Sequence, residues 1–210
     1  MNPRNQSIPS PAVRRLSVYL RRLEYLAAQG VEKVSSRSLA ESLRLADAQV
    51  RKDLAYFGQF GRPGVGYLVG PLVEELRRIL GTDKIWPVVL VGSGDLGRAL
   101  LRYKGFRRRG FDLVAAFDVS PAVVGRTIGG VPVLHVRQLP AVVAKHGVKL
   151  GIVAVPTDAA QDVADMLQAA GVRGILNFAP TVLHAAAEAS VRPVDLAAEL
   201  EQLSFRVGRE

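Results

Sequence analysis

The chain has 210 residues, 49% hydrophobic and 22% charged, enough for one large or two small globular domains. It has no cysteine, which excludes disulfides, thiol catalysis and cysteine-ligated zinc. The net charge is +9, and most of it sits early: residues 1–84 hold 14 Lys/Arg against 8 Asp/Glu, residues 85–210 hold 14 against 11. A basic first part favours a polyanion such as nucleic acid as partner, with surface charge for solubility as the plainer alternative. The start of the chain is polar, and no apolar run approaches the roughly 18 residues of a membrane span, so a cytoplasmic location is expected.

Residues 1–10 read as a flexible arm. Pro11 opens a helix to about Gln29, with Gly30 as its stop and Val13, Leu16, Leu20, Leu23 and Leu26 as the buried stripe. A short helix follows, capped by Ser35 or Ser36 and running to Leu43. After Arg44-Leu45-Ala46, Asp47 caps another helix to about Phe57. Two short helices and a tight turn make a helix-turn-helix candidate. In the second helix Val50, Leu54 and Phe57 should face the core; Gln49, Lys52, Asp53 and Tyr56 fall on the opposite face, with Arg51 at its margin. In a recognition helix Gln49 would suit base edges, Arg51 a guanine or a phosphate, Lys52 a phosphate, and Tyr56 a phosphate or the groove wall. The alternating glycines of residues 60–69 predict a two-stranded hairpin with its tip at Arg62-Pro63-Gly64. Together these make a winged helix-turn-helix, with Arg62 placed to enter a minor groove or touch phosphate. A helix from Pro71 to Leu80, stopped by Gly81, and a linker over 81–84 complete the first part.

The second part turns on Val88-Val89-Leu90-Val91 followed by Gly92-Ser93-Gly94-Asp95-Leu96-Gly97. A buried strand, a G-x-G-x-x-G turn and a helix opening at about Asp95 form a dinucleotide-binding pattern. The free N–H groups and positive dipole end of that helix favour phosphate. A second apolar run ends in Asp118, 21 residues past Gly97, where a carboxylate binds ribose hydroxyls and disfavours a 2′-phosphate. Strands at 131–134, 150–155 and 172–178 alternate with helices at 137–146 and 157–170, which predicts an α/β, doubly wound parallel sheet of Rossmann type. The carboxyl ends of these strands place Val155-Pro156-Thr157 and Asn177-Phe178-Ala179-Pro180 beside the glycine turn. Tyr103 reaches the edge of that crevice or packs. A final helix, 194–207, carries Leu196, Leu200, Leu203 and Val207 on one stripe; it packs on its own domain or crosses to a second subunit. His135, His146 and His184 have no evident carboxylate partner, and no hydrolase, metalloprotease or Walker motif is present. That pattern suggests binding without turnover, catalytic residues none and metal none. An oxidoreductase with a basic oligomerisation domain, or a regulator binding CoA or another nucleotide, remain the alternatives.

The stretches Val34-Ser-Ser-Arg-Ser-Leu-Ala-Glu, Ala48-Gln-Val-Arg-Lys-Asp-Leu-Ala-Tyr-Phe-Gly-Gln-Phe-Gly and Gly64-Val-Gly-Tyr closely resemble the Rex redox-sensing transcriptional repressors. So do the glycine turn, Phe117-Asp118, Ile128-Gly-Gly-Val-Pro-Val, Asn177-Phe-Ala-Pro and Asp195-Leu-Ala-x-Glu-Leu. The resemblance covers nearly the whole chain. It implies a homodimer with a winged-helix DNA-binding domain (1–80), a Rossmann NAD(H)-binding domain (85–192) and a C-terminal dimerisation helix (193–210) exchanged between subunits. It implies double-stranded operator DNA as partner, with NADH releasing it. Arg51, Lys52 and Tyr56 carry over as recognition-helix contacts, with Ser36 and Arg62 at phosphate or groove. Gly92, Gly94, Leu96, Gly97, Asp118, Pro156, Thr157, Asn177 and Pro180 carry over as the cofactor shell, and Arg15, Tyr103 and Asp195 as a polar network linking domains and subunits. One residue departs from the family's habit: Asp95 is an acid inside the glycine loop. It would repel a pyrophosphate, at a cost on the order of a few kcal/mol, or else cap the helix.

Overall fold

The structure is a computed structural model and describes residues 8–62 and 65–209. Most of the expected N-terminal arm, the hairpin tip at Pro63-Gly64 and the side chain of Arg62 lie outside the described residues. The chain forms two compact units, Met1–Lys84 and Ile85–Glu210.

In the first unit α1 (Ser10–Ala28) packs against α3 (Asp47–Ala55) and α4 (Val69–Leu80), and α2 (Ser36–Ser42) packs against α3. The hairpin is present as β2 (Gly61–Arg62) and β3 (Gly66–Leu68), and β1 (Lys33–Val34) adds a third antiparallel strand. Ser35 caps α2 by accepting the Ser38 N–H at 3.0 Å. Asp47 does not cap α3; Ala46 holds that position, and the Asp47 carboxylate pairs with Arg51 instead. Leu16, Leu20 and Leu23 are buried as expected, but Val13 is 39% exposed, and Ala12 and Tyr19 take core positions. The buried arc of α1 is therefore rotated by about one residue, because the helix packs on two neighbours. Gly81 ends α4 at φ +70°.

In the second unit the sheet order is β10-β9-β8-β4-β5-β7-β6. The strands are β4 (Trp86–Val91), β5 (Phe111–Asp118), β6 (Thr127–Ile128), β7 (Val131–His135), β8 (Leu150–Val153), β9 (Gly174–Asn177) and β10 (Ser190–Pro193). All pairings are parallel except β6 with β7. Val89, Val91, Ala115 and Phe117 face a core shared with α7 (Leu139–His146) and α8 (Thr157–Ala169). Val88, Leu90 and Ala116 face the opposite core with Leu101 of α5 (Asp95–Arg102). This alternation at period two explains why β4 reads as a continuous apolar run. A short α6 (Gly105–Arg108) precedes β5.

β10 was not expected. It lies parallel to β9 with no crossover helix between them. Two glutamines of α8 hold the connection: Gln161 exchanges hydrogen bonds with the His184 backbone at 2.9 and 3.2 Å, and Gln168 accepts the Ala186 N–H at 2.7 Å. One result is an apolar cleft of about 410 Å³ on the sheet, lined by Val88, Phe106, Phe111, Ile152 and Leu176 among others. The terminal helix α9 (Leu196–Val207) has no buried residue, and its Leu196, Leu200, Leu203 and Val207 are each more than half exposed.

Candidate functional site

From β4 the chain runs outward on one side through β5 and β7, then returns through β8, β9 and β10. The strand order reverses between β4 and β8, and the glycine turn sits at that switch point, where open α/β sheets bind ligands. Gly92 has φ +99°, and a Cβ there would overlap the Ala154 carbonyl. A Cβ on Gly97 would overlap the Gly92 carbonyl, so α5 can begin directly against the turn only with glycine. Around Gly94 nothing lies within 4 Å of where a Cβ would be, so its backbone faces open space. Beneath it the Ser93 Oγ is buried without a hydrogen-bond partner among the described residues. An open backbone, the first-turn N–H groups of α5 and a spare hydroxyl fit a pyrophosphate.

Register brings the other residues alongside. Val91 pairs with Phe117 and Val153, and Val153 pairs with Asn177, so Asp118, Val155-Pro156 and Phe178 follow on one edge. Asp118 accepts the Ser93 N–H at 2.7 Å and the Ser120 N–H at 2.9 Å. It thereby braces the turn and keeps lone pairs for hydroxyl donors. Pro156 precedes α8, and Thr157 opens it, both exposed at the same edge. Asn177 is buried and committed to its own loop: it donates to the Ala179 and Thr181 carbonyls at 3.1 and 2.9 Å and accepts the Ala179 N–H at 2.9 Å. It shapes the wall that carries exposed Pro180. Tyr103 is not brought to this edge. It follows the last residue of α5, a helix of eight residues spanning about 12 Å, and stands 60% exposed with its ring edge-on to Phe106 at 5.1 Å. Asp195 caps α9, accepting the Ala197 and Ala198 N–H groups at 3.0 Å each.

Asp95 neither caps α5 nor leans into the turn. Its side chain is 99% exposed and pairs with Arg98, which also donates to the Ser93 carbonyl at 3.3 Å. The expected repulsion is thus offset by a cation that the sequence reading overlooked, although Asp95 and Arg98 stand three residues apart on one helix face. Exposed pairs of this kind are weak. Asp95→Asn should therefore raise dinucleotide affinity by only about two- to fivefold, by releasing Arg98 toward phosphate. Titration by calorimetry at two salt concentrations reads this, and unchanged affinity would refute it.

On the first unit, Arg51 donates to Asp47 at 2.5 Å and to Ser36 at 3.4 Å. The guanidinium holds the Asp47 carboxyl below its usual value. Arg51 and Lys52 are exposed, and Tyr56 is half-buried at the end of α3. A groove of about 700 Å³ lies between α3 and the hairpin, with Ser36, Arg51, Gln59 and Tyr67 on its walls. Burial pushes the Tyr67 hydroxyl up. Because an exposed i,i+4 pair contributes little, a phosphate can displace Asp47 from Arg51 at small cost.

Asp53 is a correction. Expected on the open face of α3, it is fully buried. Its carboxylate accepts from Arg15 Nε at 2.5 Å and Nη2 at 2.7 Å, from the Tyr19 hydroxyl at 2.7 Å and from Gln49 Nε2 at 2.8 Å. Burial pushes this carboxyl up, but the donors from Arg15, Tyr19 and Gln49 outweigh it and hold it below the ordinary range. Burial, then the bond to Asp53, pushes Tyr19 up, and the same carboxylate raises Arg15. Gln49, expected to be free for bases, is thus partly engaged within the unit. The available signal was a pair of i,i+4 spacings, Arg15/Tyr19 and Gln49/Asp53, placing polar groups on two helix faces that meet.

The fold and these sites define a winged-helix protein joined to a unit with the strand order of dinucleotide-binding domains. A family model described as "CoA binding domain" matches residues 83–181, and one described as "Putative DNA-binding protein N-terminus" matches residues 7–55. The redox-sensing transcriptional repressor Rex of Carboxydothermus hydrogenoformans is 49% identical, over 97% of this chain and 98% of its own. Among solved structures, that of RSP, a Rex-family repressor, in complex with beta-NAD+ and operator DNA is similar with a TM-score of 0.91 and 38% identity, covering 97% of this chain and 94% of that one. RSP in complex with beta-NADH gives a TM-score of 0.87 at 34% identity, covering 98% and 96%. The chain belongs to the Rex family of redox-sensing transcriptional repressors.

Proposed function

We propose that the chain is a homodimeric, cytoplasmic repressor that binds operator DNA through its first unit, NAD(H) through its second, and leaves the DNA when NADH binds. The observation that carries this reading is the open glycine turn braced by Asp118 at the switch point, in a chain that also presents Arg51 and Lys52 on a winged helix. Gly92, Gly94, Leu96 and Gly97 line the approach for the pyrophosphate, with Ser93 as hydroxyl donor and Arg98 as nearby cation. Asp118 takes ribose hydroxyls. Pro156, Thr157 and Pro180 bound the crevice, and Asn177 fixes its wall. Ser36, Lys52 and Arg62 serve phosphates, Arg51 a guanine or phosphate, and Tyr56 the groove wall. The bound coenzyme supplies a nicotinamide ring that is positively charged when oxidised and neutral when reduced. A dimer with two arrangements responds to that difference by no more than the ligand's differential affinity for them. Tyr103 and Asp195, each remote from its own crevice edge or engaged in a cap, act in this reading across the subunit boundary.

We assign no turnover to the protein: the His135 ring caps a short turn by accepting the Arg137 N–H, and His146 and His184 are exposed. The apolar row on α9 packs on the second subunit. Leu200→Glu with Leu203→Glu should then yield a monomer in sedimentation velocity and weaken duplex binding at least about tenfold by loss of bivalency. A dimer that survives both substitutions would sink that assignment.

The test of the whole reading uses a duplex selected by the protein from a random library, followed by anisotropy at fixed salt with NAD+, NADH or CoA added. NADH alone should release the duplex. Release by CoA alone would favour a CoA-responsive regulator, in keeping with the matched family model, and hydride transfer to any acceptor would favour an oxidoreductase.

A further inference from the structure

Asp53 is the one carboxylate among the described residues that is fully buried, and it lies in the middle of the helix that would read DNA. Replacing a buried ion cluster by well-packed apolar residues is often neutral or stabilising. Stability alone therefore does not account for it, and geometry is the better explanation. The carboxylate is saturated: Oδ1 accepts from Arg15 and Gln49, and Oδ2 from Arg15 and Tyr19. Arg15 and Tyr19 stand one turn apart on α1, so two residues of that helix converge on one carboxylate of α3. A guanidinium fork tolerates little rotation of its carboxylate, which fixes the roll of α3 about its own axis. Gln49, one turn before Asp53, must turn its amide nitrogen inward, because a carboxylate accepts only from that end. The polarity of its amide is thereby set, with the Oε1 acceptor left over. An acceptor selects base-edge donors such as adenine N6 or cytosine N4.

We propose that Asp53 is a positioning residue for sequence reading: it sets the roll of the recognition helix and fixes which end of the Gln49 amide is left for a base. The inference rests on the DNA-binding reading above.

The test uses the full-length protein, the duplex selected by the parent and a scrambled duplex of equal composition, both at one salt concentration. Asp53→Asn should lower the selected-to-scrambled affinity ratio about tenfold or more. Affinity for the scrambled duplex and its salt slope should change far less, because Ser36 stands off α3 and the long Arg51 and Lys52 side chains can follow phosphates through a small roll. Tyr19→Phe removes one donor and leaves the fold in place; it should lower the ratio about two- to fivefold, and it carries the test if circular dichroism reports Asp53→Asn unfolded. In a Gln49→Ala background Asp53→Asn should cost less specificity than in the parent, since the Gln49 part is already gone. Parental ratios in the folded variants, equal weakening on both duplexes, or full additivity with Gln49→Ala would each overturn the proposal. A parent that selects no duplex overturns the DNA-binding reading instead, before any variant is made.

Discussion

Gly97→Ala is expected to give a protein that still holds its operator and no longer answers NADH. The new methyl would overlap the Gly92 carbonyl, so the first turn of α5 must move away from the strand. Overpacking of this kind costs about 1–3 kcal/mol, which a domain of ordinary stability survives. The displaced part, however, is the cradle itself. We expect NADH affinity to fall at least about a hundredfold, on the order of 3 kcal/mol. Isothermal titration with NADH gives the affinity, and anisotropy on the selected duplex shows whether release is lost. Gly94→Ala is the control, because a Cβ there meets nothing within 4 Å and should leave the fold and thermal stability unchanged while obstructing the approach to the turn. An NADH affinity for Gly97→Ala within about threefold of the parent would refute the account.

Arg15→Ala should be the most damaging surface-reachable change in the first unit. It strands the fully buried Asp53 carboxylate with two neutral donors. Removing one partner of a buried pair costs about 3–5 kcal/mol; because the Arg15 side chain is 28% exposed, the lower end applies. The pH dependence follows from the directions of the shifts. Asp53 titrates below its unfolded value, so its contribution is present above about pH 4 and is lost as pH falls through the folded-state value. Tyr19 titrates above its unfolded value, so its contribution is full below about pH 10 and is lost as pH rises beyond it. Without the guanidinium, burial dominates at Asp53 and carries its carboxyl above the unfolded value, so the sign reverses: the deficit of the variant should be largest near pH 7 and shrink as pH falls toward 4. Thermal unfolding from pH 4 to 8 measures both effects. A melting temperature within a degree or so of the parent at pH 7 would show that Asp53 does not depend on Arg15.

What the sequence made readable was governed by local rules. The glycine turn, Asp118 and the alternating strands follow from backbone sterics and period-two burial, and they stand where the spacing placed them. Residues whose role depends on a crossing helix were not readable in this way. Asp53 looks solvent-facing on an isolated α3, and only the packing of α1 against that helix encloses it. Tyr19 was missed for the same reason. β10 escaped because Ser190, Arg192 and Pro193 dilute its apolar signal, and its pairing is supplied by β9. Asp95 taken alone is hostile to phosphate, and its pairing with Arg98 depends on side-chain rotamers that residue types do not give. Asn177 belongs to the expected cofactor shell, and its residue type alone does not show that its amide is spent on holding its own loop.

The apolar row along α9 has a consequence for how the repressor behaves in a cell. A subunit that has just left the ribosome carries Leu196, Leu200, Leu203, Phe205 and Val207 in contact with water. Such a surface is adhesive, and in the proposed dimer the second subunit covers it. Operator occupancy near the assembly threshold should therefore rise with the square of subunit supply. Halving expression would then open the target genes more than proportionally, independently of the redox state.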